Sequence, residues 1–303
     1  DERAWLGRVI EDPAVAQSEF FARLTAARQA AVLDVASDYF LYKAATESVA
    51  APFEARNQTV LLARSRLSVP ATPAGYRPYS GPPDQGHRIM RAGVGIGWRE
   101  DEFFTETNFR LAYHGLLDPE YGYTPEAQIE ALSIALRHYH RRHHTRIDRF
   151  TLLNITSLSP VDSLFWQPSW KLDLGFDTVR QKDCRYCFVG RTNGAIGLAA
   201  ESRWLTREVY FGCAEIVSEY SKGFDHGYRI GAGLSAGALV DITDRWKMGA
   251  TTTYLGFAAG DKKPEWRVSA QQRFALSRNL ALRLDFTQRA SQQDYLLNLH
   301  FYF

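Results

Sequence analysis

Two cysteines in a Cys184-x-x-Cys187 spacing could bind a metal, take part in redox chemistry or form a disulfide. Structural zinc needs four Cys or His ligands and no second pair lies nearby, while thioredoxin-like redox chemistry needs a helix start that this segment lacks. We therefore predict that these two thiols form a small local disulfide in an oxidising compartment. Cys213 remains alone within a predicted strand, as a small packing residue.

A second group combines arginines and histidines over a short stretch: Arg137, Arg141, Arg142, His143, His144 and Arg146. Arginine pairs well with phosphates, so one interpretation is contact with an anionic lipid such as lipopolysaccharide. The alternative is a solvated hairpin loop without a ligand. Metal binding needs convergent side chains, and adjacent residues on a strand diverge.

A third group is His114 and Asp118, with Ser157 and Ser159, which together suggest a hydrolase. Outer-membrane phospholipases have Ser, His and Asn on the outside of a barrel, in a His-x-Ser-Asn-Gly-like run that is missing here. His114 falls instead on the inner face of its predicted strand. We expect it to hydrogen-bond a long turn, and we predict no catalytic residue, metal site or cofactor.

Residues 1–68 have helical periodicity, with frequent Ala and few Gly. Ser18 is a candidate N-cap for a long helix with apolar residues at helical spacing through Tyr42, and Pro52 marks the start of a second helix. We predict an α-helical hairpin here. The Pro- and Gly-rich residues 69–86 form a linker, because proline at this density prevents both helix and sheet interior.

From residue 87 to residue 303 the hydrophobic period changes to two, as expected for strands. The segments number about twelve and have the length of tilted membrane strands. Their predicted spans are 87–98, 103–114, 127–140, 145–159, 169–180, 187–201, 208–220, 227–241, 246–259, 265–277, 279–290 and 293–303.

The polar face of these strands mixes small residues with charges of both signs, which suits a narrow lumen filled by paired charges. The predicted lumen network comprises Arg91, Glu106, Arg110, Asp173, Arg229, Asp241, Arg283 and Asp285. Strands in soluble sandwiches are usually about five or six residues long, and the predicted segments are about twice that length. An open sheet edge is intolerable in lipid, so strands of this kind must close. The fold class is therefore mainly β, a transmembrane antiparallel β-barrel preceded by helices.

The last predicted strand carries Tyr295, Leu297, Leu299, Phe301 and Phe303 on one face. Alternate apolar residues with a terminal Phe resemble the signal by which the barrel-assembly machinery takes up bacterial outer-membrane proteins. Aromatic residues such as Trp98, Trp170 and Trp266 lie near strand ends, as in interfacial girdles. An even strand count puts the start of the first strand and the end of the last strand on the same side of the membrane. We expect that side to be the periplasm of a Gram-negative bacterium.

Composition limits the remaining function classes. The formal net charge is +2, without the basic excess of a dedicated nucleic-acid binder. The sequence contains no run of about 18 apolar residues, so no membrane-spanning helix is predicted. The expected partners are outer-membrane lipid, lipopolysaccharide, the barrel-assembly machinery and, through residues 1–68, periplasmic or envelope proteins.

Several short motifs resemble a known family. In the helical part they are Leu33-Asp34 through Tyr39-Phe40-Leu41-Tyr42 and Arg64-Ser65-Arg66-Leu67. In the barrel they are Tyr113-His114-Gly115-Leu116-Leu117-Asp118-Pro119 with Gly122-Tyr123, Ser157-Leu158-Ser159-Pro160, Ser169-Trp170 and Cys184-x-x-Cys187. Together they look like the C-terminal portion of large proteobacterial envelope proteins. In that family the N-terminal half is a papain-like cysteine domain related to lipoprotein N-acyltransferases.

The resemblance implies a membrane-anchoring barrel with a periplasmic helical region, non-catalytic in itself. The cysteine-and-histidine half that would act as an acyltransferase or peptidase is not in this sequence, so no catalytic residue carries over. Two alternatives remain open, a small outer-membrane pore or transport component and a phospholipase-like hydrolase.

Overall fold

The computed structural model describes residues 2–70, 81–162, 166–181 and 184–303. The chain divides into two compact units, Asp1–Arg77 and Pro78–Phe303. Among the described residues, no helix is both long enough and apolar enough to cross a membrane. The first unit is helical and the second is built from strands, as the change in hydrophobic period predicts.

The helical unit contains α1 (Glu2–Glu11), α2 (Glu19–Ala22), α3 (Ala26–Thr46) and α4 (Ala51–Ser65), with a 3₁₀ turn at Pro13–Gln17. The predicted hairpin corresponds to α3 and α4, whose buried side chains include Leu33, Phe40 and Val60. The predicted cap at Ser18 serves only the single turn of α2. The long helix begins later, where the Thr25 hydroxyl accepts a hydrogen bond from the Arg28 amide.

The second unit is a closed antiparallel barrel in which each strand pairs with its sequence neighbours and β1 pairs with β12. The strands are β1 (Arg91–Arg99), β2 (Glu102–His114), β3 (Ala127–Tyr139), β4 (His144–Ser157), β5 (Ser169–Gln181), β6 (Cys184–Ser202), β7 (Arg207–Tyr220), β8 (Tyr228–Thr243), β9 (Trp246–Gly260), β10 (Glu265–Ser277), β11 (Leu280–Arg289) and β12 (Gln292–Tyr302). This confirms the predicted twelve-stranded barrel.

Side chains alternate between the inside and the outside of the wall along each strand. In β12, Tyr295, Leu297 and Phe301 are exposed on the outer face with Leu299 partly so, while Asn298 and His300 are buried inside. Exposed Trp98, Trp170 and Trp266 lie on the outer face near strand ends. An apolar outer face with aromatic ends and a polar interior is the arrangement of a transmembrane barrel.

Two predicted boundaries need correction. β6 begins at Cys184 instead of residue 187, so Cys184 lies within the strand together with Cys187. β1 begins at Arg91 instead of residue 87, and residues 87–90 approach the barrel as irregular chain. Of the predicted linker 69–86, residues 71–80 lie outside the described residues.

The two ends of the barrel differ in their connections. The end where β1 begins and β12 finishes, called here the terminal end, carries the long segment 115–126, the described residues 158–162 and 166–168 of the β4–β5 connection, and the short turns 203–206, 244–245 and 278–279. The opposite end, called the far end, carries connections whose described residues are 100–101, 140–143, 221–227, 261–264 and 290–291.

Candidate functional site

The connection between β2 and β3, residues 115–126, folds into the terminal end of the barrel, and we call it the plug loop. Leu117 is buried in a cluster with Leu158 and with inner-face side chains of β6, β7 and β8, namely Ala199, Val209 and Leu239. On another part of the wall, Arg273 of β10 donates a hydrogen bond from Nε to the Leu117 carbonyl at 2.5 Å. One loop thus contacts several sides of the barrel mouth.

Asp118 fixes the plug loop to the opposite wall. Its Oδ2 accepts hydrogen bonds from the Gly115 amide and lies 2.8 Å from Arg110 Nη1 of β2. Its Oδ1 accepts from the Tyr302 hydroxyl of β12 at 2.7 Å. Burial alone would raise the pKa of Asp118, but the Arg110 and Arg91 guanidinium groups hold that pKa well below its usual value. The loop is therefore anchored by an ionised carboxylate that has a partner on each of its two oxygens.

The plug loop also packs against the chain that leads into β1. Gly122 has a φ of +86°, and an added Cβ would lie 2.8 Å from the Gly86 Cα. Glycine therefore satisfies both the left-handed backbone and the close approach at this position. The Tyr123 hydroxyl donates to the His87 carbonyl at 2.5 Å. Residues 85–87 and the plug loop form one packed layer.

Two histidines meet beneath this layer. His87 Nε2 and His114 Nδ1 are 2.9 Å apart, and both side chains are almost completely buried. The Tyr123 ring stacks on both imidazoles at centroid distances of 4.4 Å. Burial lowers the pKa of His87, so its imidazole is neutral at physiological pH.

The end of the plug loop carries a carboxylate-rich cluster. Arg207 of β7 pairs with Glu126 at 2.6 Å and with Asp241 at 2.8 Å, and Lys247 of β9 bonds to Glu120. Burial raises the pKa of Glu126 to about 7, helped by the neighbouring Glu120 and opposed by Arg207 and Lys247. Asp241, a predicted lumen residue, thus lies at the terminal end and holds the plug loop.

Nearer the far end, charged side chains of the wall itself fill the lumen. Glu219 of β7 is fully buried and pairs with Arg229, Arg267 and Arg289 at 2.5–2.8 Å. Glu265 pairs with the same three arginines at 2.5–2.8 Å. We call these five residues the ionic belt. These five residues lie along one arc of the wall, on β7, β8, β10 and β11, and Arg289 also lies 3.9 Å from Asp177 of β5 on the facing side of the barrel.

A second buried ionic group lies on β1, β2, β3, β4 and β12. Asp294 and Asp148 each pair with both Arg99 and Arg137, at 2.7–3.2 Å, and Glu106 also pairs with Arg137 at 2.8 Å. The proposed lipopolysaccharide contact at Arg137 is therefore wrong, because this side chain points into the lumen and is only 5% exposed.

The remaining predicted lumen residues also lie on the inner face. Arg91 and Arg110 are buried, Asp173 pairs with Arg191 at 2.7 Å, and Arg283 pairs with Asp285 at 2.8 Å. The sequence prediction did not include Glu219, Glu265 or Asp294 in the network. The alternation along each strand does place these three residues on the inner face. The sequence does not show which arginines they pair with, because the partners lie on distant strands. Two interior cavities of about 120 and 330 Å³ remain between these charges.

The two predicted thiols are paired in the structure. Cys184 and Cys187 form a disulfide with a Cα–Cα distance of 5.5 Å, which confirms that prediction. Cys213 is a buried free cysteine on the inner face of β7. The disulfide lies at the far end, beside the β7–β8 connection, where Cys187 packs against Phe224.

The basic residues at the far end are partly neutralised by acidic neighbours. The turn between β1 and β2 places Asp101 against Arg141 at 3.0 Å and against Arg185 at 2.9 Å. Glu102 lies 3.9 Å from Arg142, and Arg146 stacks over the Tyr186 ring. His143 is exposed and His144 half-buried at the same rim. The rim is a mixed-charge surface, so fewer of its basic side chains are available to bind a phosphate group than the sequence indicates.

The geometry does not assemble a hydrolase from the predicted groups. His114 Nδ1 faces His87, and the buried His114 Nε2 has no hydrogen-bond partner among the described residues. The Ser159 amide donates to Ser169 Oγ at 3.0 Å, a turn-forming bond within the β4–β5 connection. Among the described residues, neither Ser157 nor Ser159 forms a hydrogen bond with His114.

Comparison with solved structures finds distant barrels. The NanC porin covers 70% of this chain and 100% of its own, with 8% identity and a TM-score of 0.42. A KdgM porin in complex with disordered oligogalacturonate covers 70% and 99%, with 6% identity and a TM-score of 0.40. The Acinetobacter baumannii outer membrane protein Omp33 covers 72% and 99%, with 12% identity and a TM-score of 0.33. Similarity this low says nothing about a substrate.

No curated protein sequence matches the chain. Two family models do. Residues 2–75 match a domain of unknown function, DUF7842. Residues 80–303, which is well over half of the chain, match a second domain of unknown function, DUF7840. The boundary between the two matches falls close to the boundary between the helical unit and the barrel. The chain therefore belongs to the DUF7840 family, with a DUF7842 domain preceding the barrel.

Proposed function

We propose that this chain is a non-conducting anchor in the outer membrane of a Gram-negative bacterium. The barrel holds its helical region, and an enzyme domain upstream of Asp1, at the periplasmic side. The upstream domain is a cysteine-dependent acyltransferase or peptidase, as the family resemblance implies. The chain itself contributes attachment and no catalysis.

The observation that carries the proposal is the plug loop across the terminal end of the barrel. Leu117 packs against β6, β7 and β8, while its neighbour Asp118 binds Arg110 on β2 and Tyr302 on β12. At a second level the ionic belt lines one arc of the lumen, and its Arg289 approaches Asp177 of β5 on the facing side. A pore or transport component needs a continuous aqueous path, and two successive layers of packed or paired side chains oppose one.

The orientation is supported by the terminal-end turns. Residues 203–206, 244–245 and 278–279 make short connections, which is usual for periplasmic turns of such barrels. The last strand presents alternate apolar residues outward and ends at Phe303. Both features favour a periplasmic terminal end, and residues 1–70 then emerge on that side.

Single cysteines at the two ends of β9 test the orientation in living cells. Asp244→Cys lies in the turn before β9 and Lys262→Cys in the turn after it, both at exposed positions. A membrane-impermeant maleimide should label Lys262→Cys in intact cells and Asp244→Cys only after the outer membrane is permeabilised. The reverse labelling pattern would contradict a periplasmic terminal end. The unsubstituted protein controls for reaction at Cys213.

The genomic sequence upstream of Asp1 tests the enzyme part of the proposal separately. A reading frame encoding a domain with paired cysteine and histidine, continuous with this chain, would support anchoring. A signal peptide joined directly to α1 would remove the upstream enzyme. A lipase assay on detergent-purified barrel provides a further check, since hydrolysis abolished by Ser159→Ala or His114→Gln would replace the anchor with a phospholipase.

A further inference from the structure

A buried cluster at the terminal end has the composition of a metal-binding site. It consists of His87 from the chain before β1, His114 at the end of β2 and Asp118 in the plug loop, and we call it the histidine cluster. One potential ligand atom from each residue lies within 4.8 Å of those of the others. All three side chains are at most 3% exposed. Three separate segments of the chain thus converge on one point.

The hydrogen bonds of His87 fix which nitrogen faces the cluster. His87 Nδ1 lies 2.6 Å from the Arg88 carbonyl oxygen, which can only accept. Nδ1 therefore carries the proton, and in the neutral ring Nε2 presents its lone pair toward His114 Nδ1 at 2.9 Å. A backbone carbonyl that holds the distal nitrogen of an imidazole is the usual outer-sphere partner of a metal-ligating histidine.

The carboxylate is equally well held. Asp118 Oδ2 is bonded to the Gly115 amide and Arg110, and Oδ1 accepts from Tyr302 and keeps a further lone pair. A carboxylate oxygen that keeps a lone pair in this way can serve as a metal ligand.

The donor set selects among metals. Two imidazole nitrogens and one carboxylate oxygen suit Zn²⁺ and related transition metals, whereas Ca²⁺ and Mg²⁺ take oxygen ligands. The positive charges of Arg110 and Arg91 further disfavour a cation bound mainly by charge. A cavity of about 320 Å³, lined by Gln85, His87, Tyr121 and Arg278, lies beside His87 of the cluster.

We propose that His87, His114 and Asp118 bind one Zn²⁺ ion, which ties the segment before β1 and the plug loop to the end of β2. A water molecule or a group from outside the cluster completes the coordination. The metal would strengthen closure of the terminal end and would make the stability of the plug dependent on zinc.

The test uses the full chain, purified in detergent without a polyhistidine tag and stripped with a chelator. Titration with Zn²⁺, followed by calorimetry and elemental analysis, should give about one bound ion per chain. His87→Gln and His114→Gln should each weaken binding by at least about tenfold, since even outer-sphere partners contribute that much. His138→Gln is the matched control, because that ring is bonded to Thr145 away from the cluster.

Heat-dependent mobility on SDS gels shows whether the histidine variants fold. If they do not fold, titration of the unsubstituted protein with Co²⁺ tests the site instead. In the unsubstituted protein, Co²⁺ in a low-coordinate site with nitrogen ligands should give visible absorption bands that Zn²⁺ displaces. Absence of both Zn²⁺ binding and these bands in the unsubstituted protein would overturn the site. Unchanged Zn²⁺ affinity in a folded His87→Gln protein would overturn it as well.

Discussion

The two halves of the barrel interior are filled in different ways. At the terminal end a separate piece of chain, the plug loop, enters the barrel and packs Leu117 against apolar wall residues. Toward the far end the wall fills its own lumen, with the five residues of the ionic belt. One end is therefore closed by a loop that can be altered independently of the wall, whereas the other is closed by ion pairs in which each charge depends on its partners.

The largest effect is expected from breaking the ionic belt. Glu219→Ala leaves Arg229, Arg267 and Arg289 with Glu265 as their main acidic partner in a buried setting. Removing one partner of a buried ion pair typically costs about 3–5 kcal/mol. We expect a loss of that size in the free energy of unfolding, measured by urea titration in detergent micelles. Glu201→Ala, which removes a carboxylate from more exposed pairs, is the control, and an equal loss there would contradict the special role of the belt.

The plug loop should respond to loss of apolar packing. Leu117→Ala creates a cavity among Leu158, Val209 and Leu239, and such core truncations cost about 2–5 kcal/mol. The loss should appear as reduced unfolding free energy together with faster protease cleavage within residues 115–126. Leu205→Ala, at a position 72% exposed, should change neither. Resistance of the Leu117→Ala loop to cleavage would mean that apolar packing does not hold the plug.

A third prediction concerns pH at the terminal end. The pKa of Glu126 is raised from 4.5 to about 7, so the folded state retains a proton that the unfolded state releases. The associated stability is present below pH 4.5 and is lost as the pH rises toward 7. Glu126→Gln removes this titration, and Arg207 keeps Asp241 as a partner.

At pH 8 the Glu126→Gln protein should therefore be more stable than the unsubstituted protein by about 1–3 kcal/mol, with little difference at pH 5. Urea unfolding at several pH values measures the change. The variant Asp244→Asn, in the exposed turn before β9, controls for general loss of a negative charge. A variant that is less stable at pH 8 would show that the ion pair with Arg207 outweighs burial.

The smallest effect is expected at the far-end rim. Arg141 and Asp101 form an ion pair with both side chains more than half exposed. Exposed pairs of this kind contribute little to stability. Arg141→Ala should leave the urea midpoint unchanged, in contrast to Arg137→Ala, whose side chain pairs with Glu106, Asp148 and Asp294 inside the lumen. Equal effects at the two arginines would erase the distinction between rim and lumen.

The alternation of apolar and polar residues was sufficient to predict the barrel and most strand boundaries. It works because each strand faces lipid on one side and the lumen on the other, so every second residue carries the signal. The helical unit was less predictable. Ser18 does cap a helix, but the chain leaves the helix after one turn and restarts at Thr25, which periodicity alone does not reveal.

The sequence predicts which kinds of residue face the lumen, but it does not predict which of them form ion pairs with one another. Arg229 and Asp173 were expected inside because of their parity, yet nothing in the sequence connects Glu219 of β7 to Arg289 of β11. Arg137 was placed at the rim because it is close in sequence to Arg141, whereas its strand position turns it inward. The histidine cluster was missed because His87, His114 and Asp118 meet only when the plug loop folds back.

Planar-bilayer recording shows whether the barrel is closed to ions. The unsubstituted protein, reconstituted beside an open porin as a control for insertion, should give no stable ion currents, because the plug loop and the ionic belt obstruct the lumen at two levels. Long-lived open channels from the unsubstituted protein would contradict the account and would favour a pore.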